Sequence, residues 1–290
     1  MSRPKRHDSH QTVSGKPGAV QSAGVKEPFF YCSDLSLSHI PWRVSKWRDY
    51  VKIFESAPFS SDYLGDASPW YLFSERAIPR ILADSSKARF VVMLRNPIEL
   101  AHSLHNQRLK YNSEVWDFEE AWRFQGKRQQ GQNLPKGFTD GKLFQYGEVA
   151  KLGAQVERLF DRVNREQIYL IIYDDFVDDP AGCYARLIEW LGLPADERSE
   201  FPRLNPSIGY RWPALERGLR QIRRVRTRVG IPGGIGIHAA INRMNANHQR
   251  EPMSPAFRRE LTDFFRDDVA LLSRLLERDF SAWLKLTIKG

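Results

Sequence analysis

Residues 88–97 read Ala-Arg-Phe-Val-Val-Met-Leu-Arg-Asn-Pro, and this stretch decides the fold class. Positions 88–94 are short and apolar, with β-branched residues in the middle, the pattern of a strand buried on both faces of a parallel sheet. Arg95-Asn96-Pro97 breaks the run. Asn96 suits a helix cap, and Pro97 suits the first helical position, where an amide would be unpaired anyway. A strand that feeds straight into a helix predicts right-handed crossovers and a parallel sheet covered by helices.

The same pattern recurs at 167–173, Gln-Ile-Tyr-Leu-Ile-Ile-Tyr, followed by an acidic turn at Asp174-Asp175. Helices are predicted on either side, at about 148–163 and 181–191. Trp47, Tyr50, Val51 and Phe54 recur at helical spacing, predicting a helix over 42–54. A short helix is expected at 74–82 and an amphipathic one at 254–277, with Trp283 anchoring the tail. Between them, Leu215, Leu219, Ile222, Val225 and Val229 give segment 215–228 one apolar face and one arginine face. A solvated face is the usual account of such a charge run, and a docking surface for an anionic glycan or lipid headgroups is the alternative.

Composition narrows the class. The chain has 290 residues, 41% hydrophobic and 27% charged, which is ordinary for a globular domain. No run of roughly eighteen apolar residues could span a membrane, and the N-terminus carries no apolar core of a secretory signal. Cys32 and Cys183 stand far apart without metal-ligand spacing, so neither a disulfide framework nor a zinc site is expected, and a cytoplasmic location is. The net charge of +9 is uneven. Five basic residues face only Asp8 in 1–26, and eight arginines face only Glu216 in 203–228. Such a balance favours anionic partners. No nucleic-acid recognition module accompanies it, so nucleic acid is not the expected partner. Residues 1–25 have almost no large apolar side chain and read as a disordered basic leader, with an ordered domain over 26–290.

Arg95 is the first candidate for chemistry. A strand's carboxyl end, facing a helix N-terminus, is where open α/β sheets bind ligands, and the free amides there favour an anion. The guanidinium adds a fork of donors matched to phosphate. Ser103 lies eight residues on, a little over two helical turns, where its hydroxyl could face the same anion. The bland alternatives, an Arg95–carboxylate pair and an ordinary helical serine, weigh about equally on the residues alone. His102, His105 and His238 form no metal-ligand pattern, and no metal site is expected.

These residues carry a resemblance. Phe90 to Pro97, through Ala101-His102-Ser103, resembles the 3′-phosphate-binding segment of sulfotransferases that use 3′-phosphoadenosine 5′-phosphosulfate (PAPS), especially the heparan-sulfate and bacterial branch. Lys26-Glu27-Pro28-Phe29-Phe30 resembles the KEPHFF-type segment of that family. Gly65 to Leu72 resembles its E-x-S/T-P-x-Y-L segment, and Ile171 to Phe176 with Asp178-Asp179-Pro180 resembles its strand and acidic turn. Trp190-Leu191-Gly192-Leu193 resembles its FLGL stop, and Arg258 to Trp283 its closing helix. These pieces are collinear over roughly 26–195 and 252–284. The resemblance implies a P-loop-NTPase-like, three-layer α/β/α fold with a parallel sheet. It implies Arg95 and Ser103 as ligands of the 3′-phosphate and Glu27 as the general base. Without it, Glu27 reads as a surface carboxylate beside Lys26, and Asp66 as a turn cap or a substrate-orienting acid.

One departure matters. The family's Gly-rich loop for the 5′-phosphosulfate, P-K-x-G-T-T-S-L, has no counterpart. Ser14-Gly15-Lys16-Pro17-Gly18 contains Gly and Lys, but no apolar strand precedes it and Pro17 removes an amide. The sequence therefore reads as a sulfotransferase fold missing its first strand and phosphate loop, a truncated or misassigned start, with impaired transfer as the expected consequence. The expected reaction moves a sulfuryl group from PAPS to a hydroxyl or amine acceptor, which is a glycan, lipid or small molecule. The alternative is a catalytically inactive nucleotide-binding or scaffolding fragment. A nucleotide kinase would need GxxxxGK[ST], which is absent.

Overall fold

The computed structural model describes residues 20–22, 27–202, 209–210, 246–247 and 253–285, apart from 38, 56, 58–60, 112, 136–137, 197 and 199. The arginine-rich segment 215–228, His238, Lys26 and Ser14 to Gly18 lie outside the described residues. In chain order come β1 (Val20–Ser22), α1 (Trp47–Lys52), β2 (Tyr63–Gly65), α2 (Ala77–Asp84), β3 (Phe90–Leu94) and α3 (Pro97–Lys110). Then follow α4 (Phe118–Arg123), α5 (Gln125–Gln129), α6 (Tyr146–Ala150), α7 (Leu152–Phe160), β4 (Ile168–Ile172), α8 (Tyr173–Asp178) and α9 (Pro180–Leu191). A two-residue antiparallel pair, β5 (Gly209–Tyr210) with β6 (Ala246–Asn247), precedes the long α10 (Pro255–Leu275). The class is α/β with a small parallel sheet, as the strand–helix alternation predicts. Residues 1–92, 162–171 and 175–199 make one compact unit, and 93–161, 172–174 and 200–290 make a second.

In the first unit, β1 pairs in parallel with β2, Val20 opposite Tyr63 and Ser22 opposite Gly65. The stretch read as a disordered leader with no strand therefore holds one at its C-terminal end. Its signal is non-local: three residues too short and mixed for an apolar run become a strand because a partner lies beside them. An aromatic core follows. Phe30 stacks on Tyr50 at 4.5 Å between centroids and meets Tyr31 edge-on at 4.9 Å. Val44, Ile53, Phe54, Tyr71 and Ile81 pack around them. Each such ring pair adds about 0.5–1.5 kcal/mol beyond burial.

The second two-stranded sheet joins β3 to β4. The Gln167 carboxamide donates to the carbonyls of Ser86 and Ala88, tying the entry of β4 to the approach of β3. At the end of α9, Gly192 takes φ 72°, the left-handed cap that glycine adopts without a Cβ penalty. The free carbonyls there are used: Tyr63 donates its hydroxyl to Leu191 O at 2.8 Å and Arg89 its guanidinium to Trp190 O at 2.6 Å. Arg89 also lies over the Tyr63 and Trp190 rings.

The strand predicted as buried on both faces is not. Leu94 is fully buried, whereas Val91 and Met93 are 48% and 46% exposed. Alternation by two puts Val91 and Met93 on one face, and that face is open. An apolar, β-branched composition reports a strand, not how many of its faces are covered. Other boundaries shift as well. The first helix is only Trp47–Lys52, with Tyr50 buried and Trp47 and Val51 exposed. The expected 148–163 helix is two, broken at Lys151. The acidic turn at Asp174-Asp175 is instead the first turn of α8, which follows β4 directly.

Most of the described residues of the second unit are helical. The α10 stripe Phe257, Leu261, Phe265, Val269 and Leu272 is buried at steps of four and three, the spacing of one helix face. Asp268 of α10 accepts from the amides of Gly153 and Ala154, both at 2.9 Å, and so caps α7. A Cβ at Gly153 would stand 2.3 Å from the Asp268 carbonyl oxygen, so only glycine permits this approach. Glu114 and Arg128 form a fully buried pair, the carboxylate accepting from both guanidinium nitrogens at 2.6 and 3.0 Å. The same carboxylate accepts from the Tyr146 hydroxyl at 2.9 Å and from the amides of Val115 and Trp116. Every oxygen is satisfied, which is the condition under which a buried ion pair is tolerated.

Candidate functional site

The first unit holds Glu27. The chain leaves β1 and bends at Glu27 and Phe29 with φ of 62° and 54°, the left-handed region that non-glycine side chains rarely enter. Such geometry costs on the order of 1–3 kcal/mol and persists only where surroundings hold it. They do so here by three backbone bonds. The Phe29 amide donates to Ser68 Oγ at 2.9 Å. The Pro28 carbonyl accepts from Val44 N at 2.9 Å, and the Phe29 carbonyl from Cys32 N at 3.3 Å. Pro28, Phe29 and Phe30 are buried while Glu27 is half-buried, so the residues that follow the carboxylate anchor the segment.

Asp66, at the turn after β2, organises that anchor. Its Oδ1 accepts from the Ser68 hydroxyl at 2.7 Å and the Ser68 amide at 3.0 Å. Its Oδ2 accepts from the hydroxyls of Tyr50 at 3.0 Å and Tyr71 at 2.5 Å. Burial first, and then the Asp66 charge, push both tyrosine hydroxyls well above the ordinary phenol range, so they stay protonated donors. Tyr31 is pushed up to about 12 by burial and by Asp84. The turn-cap reading of Asp66 holds, and it is extended by two phenols that the sequence did not connect to it.

The second unit holds Arg95 and Ser103. Arg95 directly follows β3 and precedes α3, whose N-cap is Asn96 as predicted: its Oδ1 accepts from the amides of Ile98 at 3.0 Å and Glu99 at 3.3 Å. The half-buried Arg95 guanidinium lies over the face of Tyr173, 4.7 Å from the ring centroid, a geometry that fixes its orientation while leaving its N–H edge directional. Ser103 is half-buried on α3, eight positions after Arg95. His102 and His105, beside it, are buried packing residues; the His102 ring stacks on Phe118 at 5.0 Å. The tail closes on the same place. Asn96 Nδ2 donates to the Trp283 carbonyl at 2.8 Å. The Trp283 indole donates to Asp174 Oδ2 at 2.6 Å, and Phe280 stacks on Trp283 at 4.4 Å. Sequence reasoning expected Trp283 to anchor the tail but missed that it anchors onto the N-cap of α3. Among the described residues there is no group of three or more His, Cys, Asp and Glu side chains that could hold a metal ion.

A family model described as "Sulfotransferase family" matches residues 39–197. Among solved structures, the sulfotransferase from Alicyclobacillus acidocaldarius superposes with a TM-score of 0.67 at 22% identity, covering 92% of this chain and 89% of that one. At that identity the likeness concerns the fold. A curated protein, the 2-dehydro-3-deoxyphosphooctonate aldolase of Alkalilimnicola ehrlichii, is 39% identical over 62 residues. The chain spans only about a fifth of that relative's length, 22%.

Proposed function

The chain belongs to the sulfotransferase family, and we propose that it transfers a sulfuryl group from PAPS to a hydroxyl or amine acceptor. The observation that carries this reading is the placement of Arg95. It stands at the carboxyl end of β3, set on the Tyr173 ring, immediately before the capped N-terminus of α3. That is the position from which a guanidinium fork can meet a phosphate, with the positive end of the α3 dipole beside it. Ser103 adds a neutral hydroxyl donor to the same 3′-phosphate.

In the proposed reaction, the acceptor oxygen or nitrogen attacks sulfur in line with the departing phosphate oxygen. The S–O bond to the nucleotide breaks as the new bond forms, and adenosine 3′,5′-bisphosphate leaves with the electron pair. The acceptor's proton passes to the Glu27 carboxylate. As in phosphoryl transfer, positioning and electrostatics supply most of the acceleration, with one base at the attacking atom. The sequence holds no P-K-x-G-T-T-S-L loop, so the turnover proposed for these 290 residues is low relative to their nucleotide affinity.

Transfer from radiolabelled PAPS to a panel of glycan, lipid and phenolic acceptors tests the reading. Label should appear in at least one acceptor and fall by about 10² or more with Glu27→Gln, the range typical of a general base. Unchanged transfer by Glu27→Gln would remove the base assignment.

A further inference from the structure

We infer that Asp66 and Ser68 form a positioning relay for Glu27, an inference that rests on the proposed role of Glu27 as base. The two left-handed residues, Glu27 and Phe29, flank Pro28, so the direction of the Glu27 side chain depends on how the Phe29 peptide is held. That peptide's amide has a buried partner, Ser68 Oγ at 2.9 Å. A serine hydroxyl that accepts from an amide must send its own proton elsewhere, and this one points it at Asp66 Oδ1, 2.7 Å away. A threonine would keep the relay; an alanine would leave the Phe29 amide buried without its acceptor.

Asp66 is suited to this end of the chain because it must accept everything offered. It receives two bonds from Ser68 and one each from Tyr50 and Tyr71. Four donors converge on two oxygens, which only the ionised carboxylate satisfies. Tyr50 is also the ring on which Phe30 stacks. The relay therefore grips the segment twice, at the Phe29 amide through Ser68 and at the Phe30 ring through Tyr50. An asparagine at 66 would present N–H groups to these donors and break one branch.

The test compares Ser68→Ala and Ser68→Thr, each with Glu27 intact and with Glu27→Gln, in two measurements on the 290-residue chain. Amide hydrogen exchange at Phe29 reports the relay without any need for turnover, and Ser68→Ala should speed it by about tenfold or more, with Ser68→Thr restoring protection. In PAPS turnover, Ser68→Ala should lower kcat by about tenfold with little change in KM for PAPS, and should have no further effect in the Glu27→Gln background. Phe29 exchange unchanged by Ser68→Ala overturns the relay. So does an equal loss of kcat from Ser68→Ala in both backgrounds, which is what a merely structural role would give. If instead Glu27→Gln by itself leaves kcat unchanged, the base assignment fails and the relay's proposed purpose goes with it, even where Phe29 exchange responds.

Discussion

Trp283 donates its indole N–H to Asp174 Oδ2 at 2.6 Å, while its own carbonyl accepts from Asn96. One buried residue of the tail thus grips both Asp174, in the first turn of α8, and the cap that starts α3. Arg95 immediately precedes Asn96 and leans on Tyr173, which immediately precedes Asp174. Order at the tail is therefore tied to order at the proposed phosphate site.

Trp283→Phe should keep the ring and lose the indole bond to a carboxylate, worth about 1.5–3 kcal/mol. Chemical denaturation should show a loss of that order, and affinity for adenosine 3′,5′-bisphosphate should fall several-fold. A variant with unchanged affinity would show that the tail supports the fold and not the site.

The buried pair predicts a larger effect. Arg128→Met leaves the Glu114 carboxylate inside without its counter-charge, which typically costs about 3–5 kcal/mol. Urea unfolding checks this, and a loss below about 1 kcal/mol would contradict it.

The same pair sets an acid limit. Burial raises the Glu114 carboxyl, but the hydrogen bond and charge of Arg128 outweigh it and hold it below the ordinary range. Its folded value therefore lies below its unfolded one, near 4.3. Its stabilisation is complete above that unfolded value and is lost as pH falls through the lower folded value. Stability measured from neutral pH downward should stay flat with respect to Glu114 and fall once the pH drops below about 4. A Glu114 contribution that declines between pH 7 and 5 would contradict the assignment.

Cys32 is buried, and burial together with Asp34 pushes its thiol up to about 12. Alkylation by iodoacetamide at mildly alkaline pH should spare it in the folded protein and modify it in denaturant, because the thiolate is the reactive form. Rapid labelling under native conditions would mean the Phe29–Cys32 turn opens readily.

The parts of this molecule that sequence made legible are those whose cause is local. Pro97 and Asn96 announce the start of α3, and Gly192 the stop of α9, because caps are written within a few residues. The apolar stripe of α10 is legible for the same reason. Glu114 was not, since it sits in a polar stretch and its burial is decided by Arg128 and Tyr146, each many residues away. Val20–Ser22 carries no strand signal of its own and depends on Tyr63–Gly65. Asp66 was legible as a cap, but its phenol partners Tyr50 and Tyr71 come from other elements. Glu27, Arg95 and Ser103 are proposed from family likeness joined to strand-end geometry. The contacts beside them, Phe29 to Ser68, Arg95 to Tyr173 and Asn96 to Trp283, needed the structure.

Ser103→Ala removes one neutral hydroxyl from the proposed 3′-phosphate site, a change of about 0.5–1.5 kcal/mol. Bisphosphate affinity should fall by roughly two- to tenfold. Equal affinity would place Ser103 outside the site and leave Arg95 as its only side chain on α3's approach.

Calorimetric titration of adenosine 3′,5′-bisphosphate into the 290-residue chain and its Arg95→Ala variant tests the nucleotide reading most directly. A charge-assisted bidentate contact contributes about 1.5–3 kcal/mol, so the variant should bind at least about tenfold more weakly. Equal affinity for the two proteins, or no binding by either, would contradict it.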